Sequence, residues 1–174
     1  MSGWLGNLTA RQVFFALELM CAGAMGYAFY VEHGLGLEPC PLCMFQRVAL
    51  LAFGAVCLLA ALHGPAGWGV RVYAALGLLT AGLGGAIAAR HVWLQSLPKD
   101  QLPSCAPPMD YMWENLPFGN MLKTVLMTSG ECAEVDWQFL GFSMPVWTFT
   151  MFLLMSVGMI VLLLFPPRRR AMKR

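Results

Sequence analysis

Four apolar runs, each about as long as the hydrocarbon core of a bilayer is thick, constrain this chain more than any other feature. They fall near residues 12–31, 43–62, 69–89 and 144–165. About 20 residues at 1.5 Å rise each cross such a core as an α-helix. In lipid every backbone polar group must be satisfied internally, which leaves helices or closed barrels. Composition agrees, with 59% of residues hydrophobic and 11% charged, against about 25% charged in a soluble domain. The 174 residues are therefore expected to form one all-α integral membrane domain, 1–174, built as a four-transmembrane-helix bundle. A net charge of +2 with no basic groove gives no sign of nucleic-acid binding.

The first run could be mistaken for a secretory signal, because Ala22-Gly23-Ala24 resembles a cleavage site. Apolar sequence continues to Tyr30, however, and Glu18 interrupts the would-be signal core, so an uncleaved span is expected. Orientation follows from Lys and Arg. Arg11, Arg71 and the tail Arg168, Arg169, Arg170, Lys173 and Arg174 lie on one side. The opposite loops carry only Lys99 and Lys123, with Arg47 and Arg90 at span ends. The positive-inside rule puts both termini in the cytoplasm and the loops near 32–42 and 90–143 outside.

Small residues are expected to bring the spans together. Gly77, Ala81, Gly85 and Ala89 recur every four residues on the third span, and Ala22 and Gly26 do so on the first. In the long outer loop, Pro98, Pro103, Pro107 and Pro108 favour extended or turned backbone. Phe118, Met121, Leu122, Val125 and Leu126 then form one apolar stripe, ended by Gly130. This predicts a short amphipathic helix in the second outer loop, lying on the membrane surface or packed on the bundle. Trp113, Trp137 and Trp147 fall where an interfacial aromatic belt would be.

The chemistry lies in cysteines on the outer side. Cys40 and Cys43 have C-x-x-C spacing, which alone suits a redox pair or half a metal site. Pro41 fits the first turn of a helix, and Cys43 then lies where the helix N-terminus favours a thiolate. Arg47 follows one turn deeper on the same face, either assisting Cys43 and a carbonyl-bearing cofactor or snorkelling to headgroups. His91 ends the third span at the same depth and is an interfacial residue or a second cofactor contact. Cys105 and Cys132 bracket the polar outer stretch. They could exchange disulfides with the first pair, or form a static staple worth about 3 kcal/mol. Glu18 lies too deep to join this chemistry, and Cys21 and Cys57 read as packing residues within spans.

Three motifs occur in order: Pro39-Cys40-x-Leu42-Cys43-x-x-x-Arg47, then Ser129-Gly130-Glu131-Cys132-Ala133-Glu134, then Trp137-x-Phe139-Leu140-Gly141-x-x-Met144-Pro145-x-Trp147. Together they resemble the disulfide bond formation protein B (DsbB) family, from the first span to the fourth. The stretch 102–108 around Cys105 follows the family pattern only loosely. The resemblance implies a bacterial inner-membrane enzyme that reoxidises a periplasmic thioredoxin-fold oxidase of DsbA type. The implied electron acceptor is a membrane quinone, ubiquinone or menaquinone. By motif position, Cys105 would form the mixed disulfide with the partner and Cys132 would be its mate. Cys40 and Cys43 would be the quinone-proximal pair, with Cys43, Arg47 and His91 at the quinone. The energetics agree: a DsbA-type partner sits near −120 mV, and an ordinary structural disulfide below about −300 mV could oxidise it only uphill, by roughly 8 kcal/mol.

Two other readings compete. A vitamin K epoxide reductase-like enzyme shares the logic of C-x-x-C beside a quinone, and the three motifs argue against it. A non-enzymatic membrane protein could bind one zinc through Cys40, Cys43, Cys105 and Cys132. Structural zinc sites commonly use two close-spaced pairs, and the second pair here is far apart. The expectation is therefore a redox site with no metal.

Overall fold

The computed structural model of the chain describes residues 9–135 and 137–167, without the side chains of Met109 and Asp110. The basic tail Arg168, Arg169, Arg170, Lys173 and Arg174, and Asp136, lie outside the described residues.

Four long helices cross the molecule, and each begins or ends where its sequence requires. The first, α1 (Ala10–Phe29), starts on a capping box in which Gln12 N–H donates to Thr9 Oγ1 at 3.3 Å and Thr9 N–H to Gln12 Oε1 at 2.9 Å. It continues into a π-helical turn, Tyr30–Gly34, so the apolar cylinder runs from Ala10 to Gly34. The second, α2 (Pro41–His63), takes Cys40 as N-cap and Pro41 in its first turn. It stops at Gly64, whose φ of 62° is left-handed. The third, α3 (Trp68–Gln95), runs nearly two turns beyond its apolar stretch, so that His91 lies inside the helix. Two short helices follow, α4 (Met109–Asn115) and α5 (Phe118–Met127). A hairpin of β1 (Gln138–Phe139) and β2 (Phe142–Ser143) turns on Leu140 and Gly141, both at positive φ, as a two-residue primed turn needs. The chain then enters α6 (Met144–Leu164). All four long helices are apolar and long enough to cross a membrane, and this is a multi-pass all-α membrane protein.

The helices pack in the order α1, α2, α3, α6. Lipid tails are as apolar as the side chains, so close contact rather than burial from water drives this packing. Between α3 and α6 the contact is close: a Cβ on Gly84 would overlap the ring of Phe152, and one on Gly77 would lie 2.8 Å from the Met159 sulfur. The buried stripe is Ala74, Gly77, Ala81, Gly84 and Ala88. The strict four-residue series is therefore corrected: Gly85 is half-buried and Ala89 is exposed. A helix has 3.6 residues per turn, so the seam drifts back by one position. The first span is corrected likewise, since Ala22 and Gly26 are exposed and Cys21 and Met25 face inward. Glu18 packs across α1 and α2 against Gly54, where a Cβ would lie 2.9 Å from its Oε2.

A second small core caps the end of the bundle opposite Arg11 and Arg71, formed by Leu42, Leu94, Met112, Met121, Val125 and Cys132. In a core bordered by water, burying a large apolar side chain stabilises by about 1.5–3 kcal/mol. The α5 stripe packs here through Met121 and Val125, on the bundle, while Phe118 stays exposed with its ring near Phe45. The proline-rich stretch 102–108 is extended, as its prolines require, and helix α4 follows directly after it. Pro108 is its N-cap residue, and Met112 is its buried residue among the described ones.

Candidate functional site

The site forms where the ends of α2 and α3 meet the turn Gly130–Ala133. Cys40 caps α2 with its sulfur, accepting the Cys43 N–H at 3.4 Å. The spacing follows from the helix, since an N-cap side chain reaches the amide three residues on. His91 rises from α3 and is buried at 3% exposure. Its Nε2–H donates to the Cys132 carbonyl at 3.0 Å. Nδ1 is thereby the acceptor, and the Gln46 amide donates to it at 3.2 Å. Around this fixed ring, the Cys40 sulfur lies 3.9 Å from Nε2 and the Cys43 sulfur 4.0 Å from Nδ1.

The Cys132 thiol is buried beside Cys40. Its contact with Cys40, and then burial, hold it far above the ordinary thiol range. For Cys40 the contact with Cys132 pulls the pKa down, but the contact with Cys43 and burial outweigh it and push it up to about 12. A thiolate at Cys40 or Cys132 thus pays for desolvation.

A cavity of about 560 Å³ opens from these sulfurs between α1 and α6. Its walls are mostly apolar, with Tyr27 and Val31 from α1 and Trp147 and Met151 from α6. Polar groups gather at one end, from Arg47, Gln46 and His91, with Cys43 in the wall. This is the usual make-up of a small-molecule site. Aromatic rings bridge the mouth: Tyr27 meets Trp137 edge-on at 6.1 Å, and Trp137 stacks on Phe139 at 6.0 Å. Phe139 meets Trp147 at 6.0 Å, and Trp147 Nε1 donates to the Phe139 carbonyl at 3.2 Å.

Arg47 is held from α1, ion-paired with Glu32 and donating to the Ala28 carbonyl at 3.1 Å. Its five N–H donors exceed these two uses, and Arg47 also lines the cavity. Cys105 stands apart. It is exposed in the extended stretch 102–108, while Cys40, Cys43, Cys132 and His91 cluster. The four cysteines therefore do not form one zinc site. Cys40, Cys43 and His91 do place donor atoms within 4.8 Å of one another, close enough to hold a thiophilic metal ion.

Three residues here escape the sequence reading. Gln46 fixes His91, Glu32 fixes Arg47, and Glu131 accepts from the Ala106 N–H at 2.9 Å. Glu32 carried a usable signal, since an ionisable residue at membrane depth marks a site by default. Gln46 and Glu131 carried only adjacency to Arg47 and Cys132.

Known proteins share this chain's pattern throughout. The family model for disulfide bond formation protein DsbB matches residues 10–162. Disulfide bond formation protein B of Marinobacter nauticus is 52% identical over 157 residues, covering 90% of this chain and 94% of the relative. Its counterpart in Hahella chejuensis is 50% identical over 153 residues, covering 88% and 91%. That of Stutzerimonas stutzeri is 48% identical over 160 residues, covering 92% and 96%. Similarity of this extent, over a four-helix bundle with Cys40, Cys43 and Cys132 gathered at one end, makes the chain a member of the DsbB family of disulfide bond formation proteins.

Proposed function

We propose that this membrane thiol–disulfide oxidoreductase takes electrons from a periplasmic thioredoxin-fold oxidase of DsbA type through Cys105. It passes them to a membrane quinone beside Cys43. The observation that carries this reading is the convergence of Cys40, Cys43, Cys132 and His91 at the polar end of an apolar cavity. The cavity suits a quinone: apolar walls for a ring and tail, with the donors of Arg47 and Gln46 at one end for ring carbonyls. A quinone supplies a two-electron, two-proton sink.

The protein's own steps balance as follows. The partner dithiol reduces a Cys105–Cys132 disulfide, leaving through a mixed disulfide on Cys105 and freeing Cys132. The Cys132 sulfur attacks Cys40 of a Cys40–Cys43 disulfide, forming a Cys40–Cys132 bond and expelling Cys43 as thiolate. Cys105 then resolves the Cys40–Cys132 bond, and the reduced Cys40–Cys43 pair yields two electrons and two protons to the acceptor. His91 faces both sulfurs of the C-x-x-C pair and holds the Cys132 turn against them. Both termini are assigned to the cytoplasm and the thiols to the periplasmic side of the inner membrane. Arg11 and Arg71 start α1 and α3 at the opposite end from Cys40 and His91.

The test mixes the purified protein with a reduced thioredoxin-fold oxidase and follows quinone absorbance. Cys43→Ser is expected to abolish quinone reduction, and Arg47→Ala to slow it roughly tenfold. Full quinone reduction by Cys43→Ser would overturn the assignment.

A further inference from the structure

The stretch carrying Cys105 has no ladder partner of its own. Pro103, Pro107 and Pro108 lack N–H groups, so little of this backbone can pair locally. Yet it is held on both sides of the cysteine by the turn that carries Cys132. On the near side, Gly130 N–H donates to the Ser104 carbonyl at 3.3 Å, and Gly130 sits so close to the Pro103 carbonyl that a Cβ would collide with it. On the far side, the Glu131 carboxylate accepts the Ala106 N–H at 2.9 Å. Ala106 is thereby drawn against the outer core, while Cys105 between the two attachments stays exposed.

We propose that Glu131 is a positioning residue for Cys105, acting through the Ala106 amide, and that residues 130–131 form a clamp presenting the Cys105 thiol to the protein partner. The inference rests on the proposed role of Cys105 in partner oxidation. Its chemistry is a charge-assisted hydrogen bond, stronger than a neutral one. A carboxylate can hold the amide without sharing a sheet edge, so residues 103–106 stay extended and open on their outer side. The clamp also sits one residue before Cys132, so it ties the backbones of the two thiols together while their sulfurs face different ways.

The experiment uses the full chain, reduced, with Glu131→Ala, Glu131→Gln and Gly130→Ala. Amide exchange at Ser104, Cys105 and Ala106 reads the clamp directly. Steady-state oxidation of a reduced thioredoxin-fold oxidase, with quinone in excess, reads its use. Glu131→Ala is expected to speed exchange at Ala106 and to raise the KM for the oxidase roughly tenfold with kcat little changed. Glu131→Gln keeps an acceptor oxygen and is expected to restore most of both. Unchanged exchange and KM in Glu131→Ala overturn the proposal, as does a fall in kcat with KM and exchange intact. Should Glu131→Ala fail to fold, Gly130→Ala decides, because its added methyl pushes the Pro103 side off the turn and is expected to raise KM in the same way. A parent protein that does not oxidise the partner refutes the functional reading, while the exchange measurement still judges the clamp.

Discussion

The two cysteine pairs are built on opposite plans. Cys40 and Cys43 are fixed by one helix terminus, where cap and first turn bring the sulfurs to one side whatever the rest of the chain does. Cys105 and Cys132 depend on a long loop, a short turn and a capping core, and in this structure they point apart, one exposed and one buried against Cys40. Under the proposed function the local pair suits an electron store beside a cavity, and the distributed pair suits transport, because thiol–disulfide exchange requires a sulfur to change partners.

The sharpest way to break this comparison is Cys132→Ser. It removes the only one of the outer pair that reaches Cys40, and partner-driven quinone reduction is expected to fall below detection. A preformed Cys40–Cys43 dithiol should still be oxidised by quinone. Stopped-flow quinone absorbance with and without partner separates the two, and loss of both would mean the pairs are not distinct units. Alkylation with pH follows in size. The Cys40 thiol, raised to about 12, should carry roughly a thousandfold less thiolate at pH 8 than an ordinary cysteine. Of the four site thiols, iodoacetamide with mass mapping is expected to modify exposed Cys105 first and Cys40 and Cys132 last. The sign for stability is the same: the folded state binds more protons than the unfolded between about pH 9 and 12. The contribution of Cys40 is then intact below pH 9 and lost as pH climbs towards 12. Smallest is His91→Ala, which leaves the Cys132 carbonyl and Gln46 amide without their shared partner. Such a loss costs about 1–3 kcal/mol, read as a lowered unfolding midpoint and a slower Cys132-to-Cys40 exchange. An unchanged exchange rate would show that the turn needs no anchor.

Much of the bundle was legible because its determinants are local. Apolar length sets the spans, and Thr9, Pro41 and Gly64 set ends by rules that read a few residues at a time. The seam between α3 and α6 was legible in kind and not in register, since Gly84 and Gly85 differ only by where Phe152 lies. At the site, the pairing of Cys40 with Cys43 follows from spacing alone. The approach of Cys132 to Cys40, the Gln46–His91 bond and the Glu32–Arg47 pair each join residues distant in sequence. Helix α4 was hidden because it is only seven residues long, too short to show an apolar period.

The grip of His91 on the Cys132 turn has one further consequence. Nε2–H holds a peptide oxygen rather than a sulfur, and that oxygen is chemically the same whether residue 132 is a thiol or half of a cystine. The mooring is thus blind to oxidation state: sulfur can gain and lose bonds through a full cycle while the strip of backbone beneath it stays tied to the third helix.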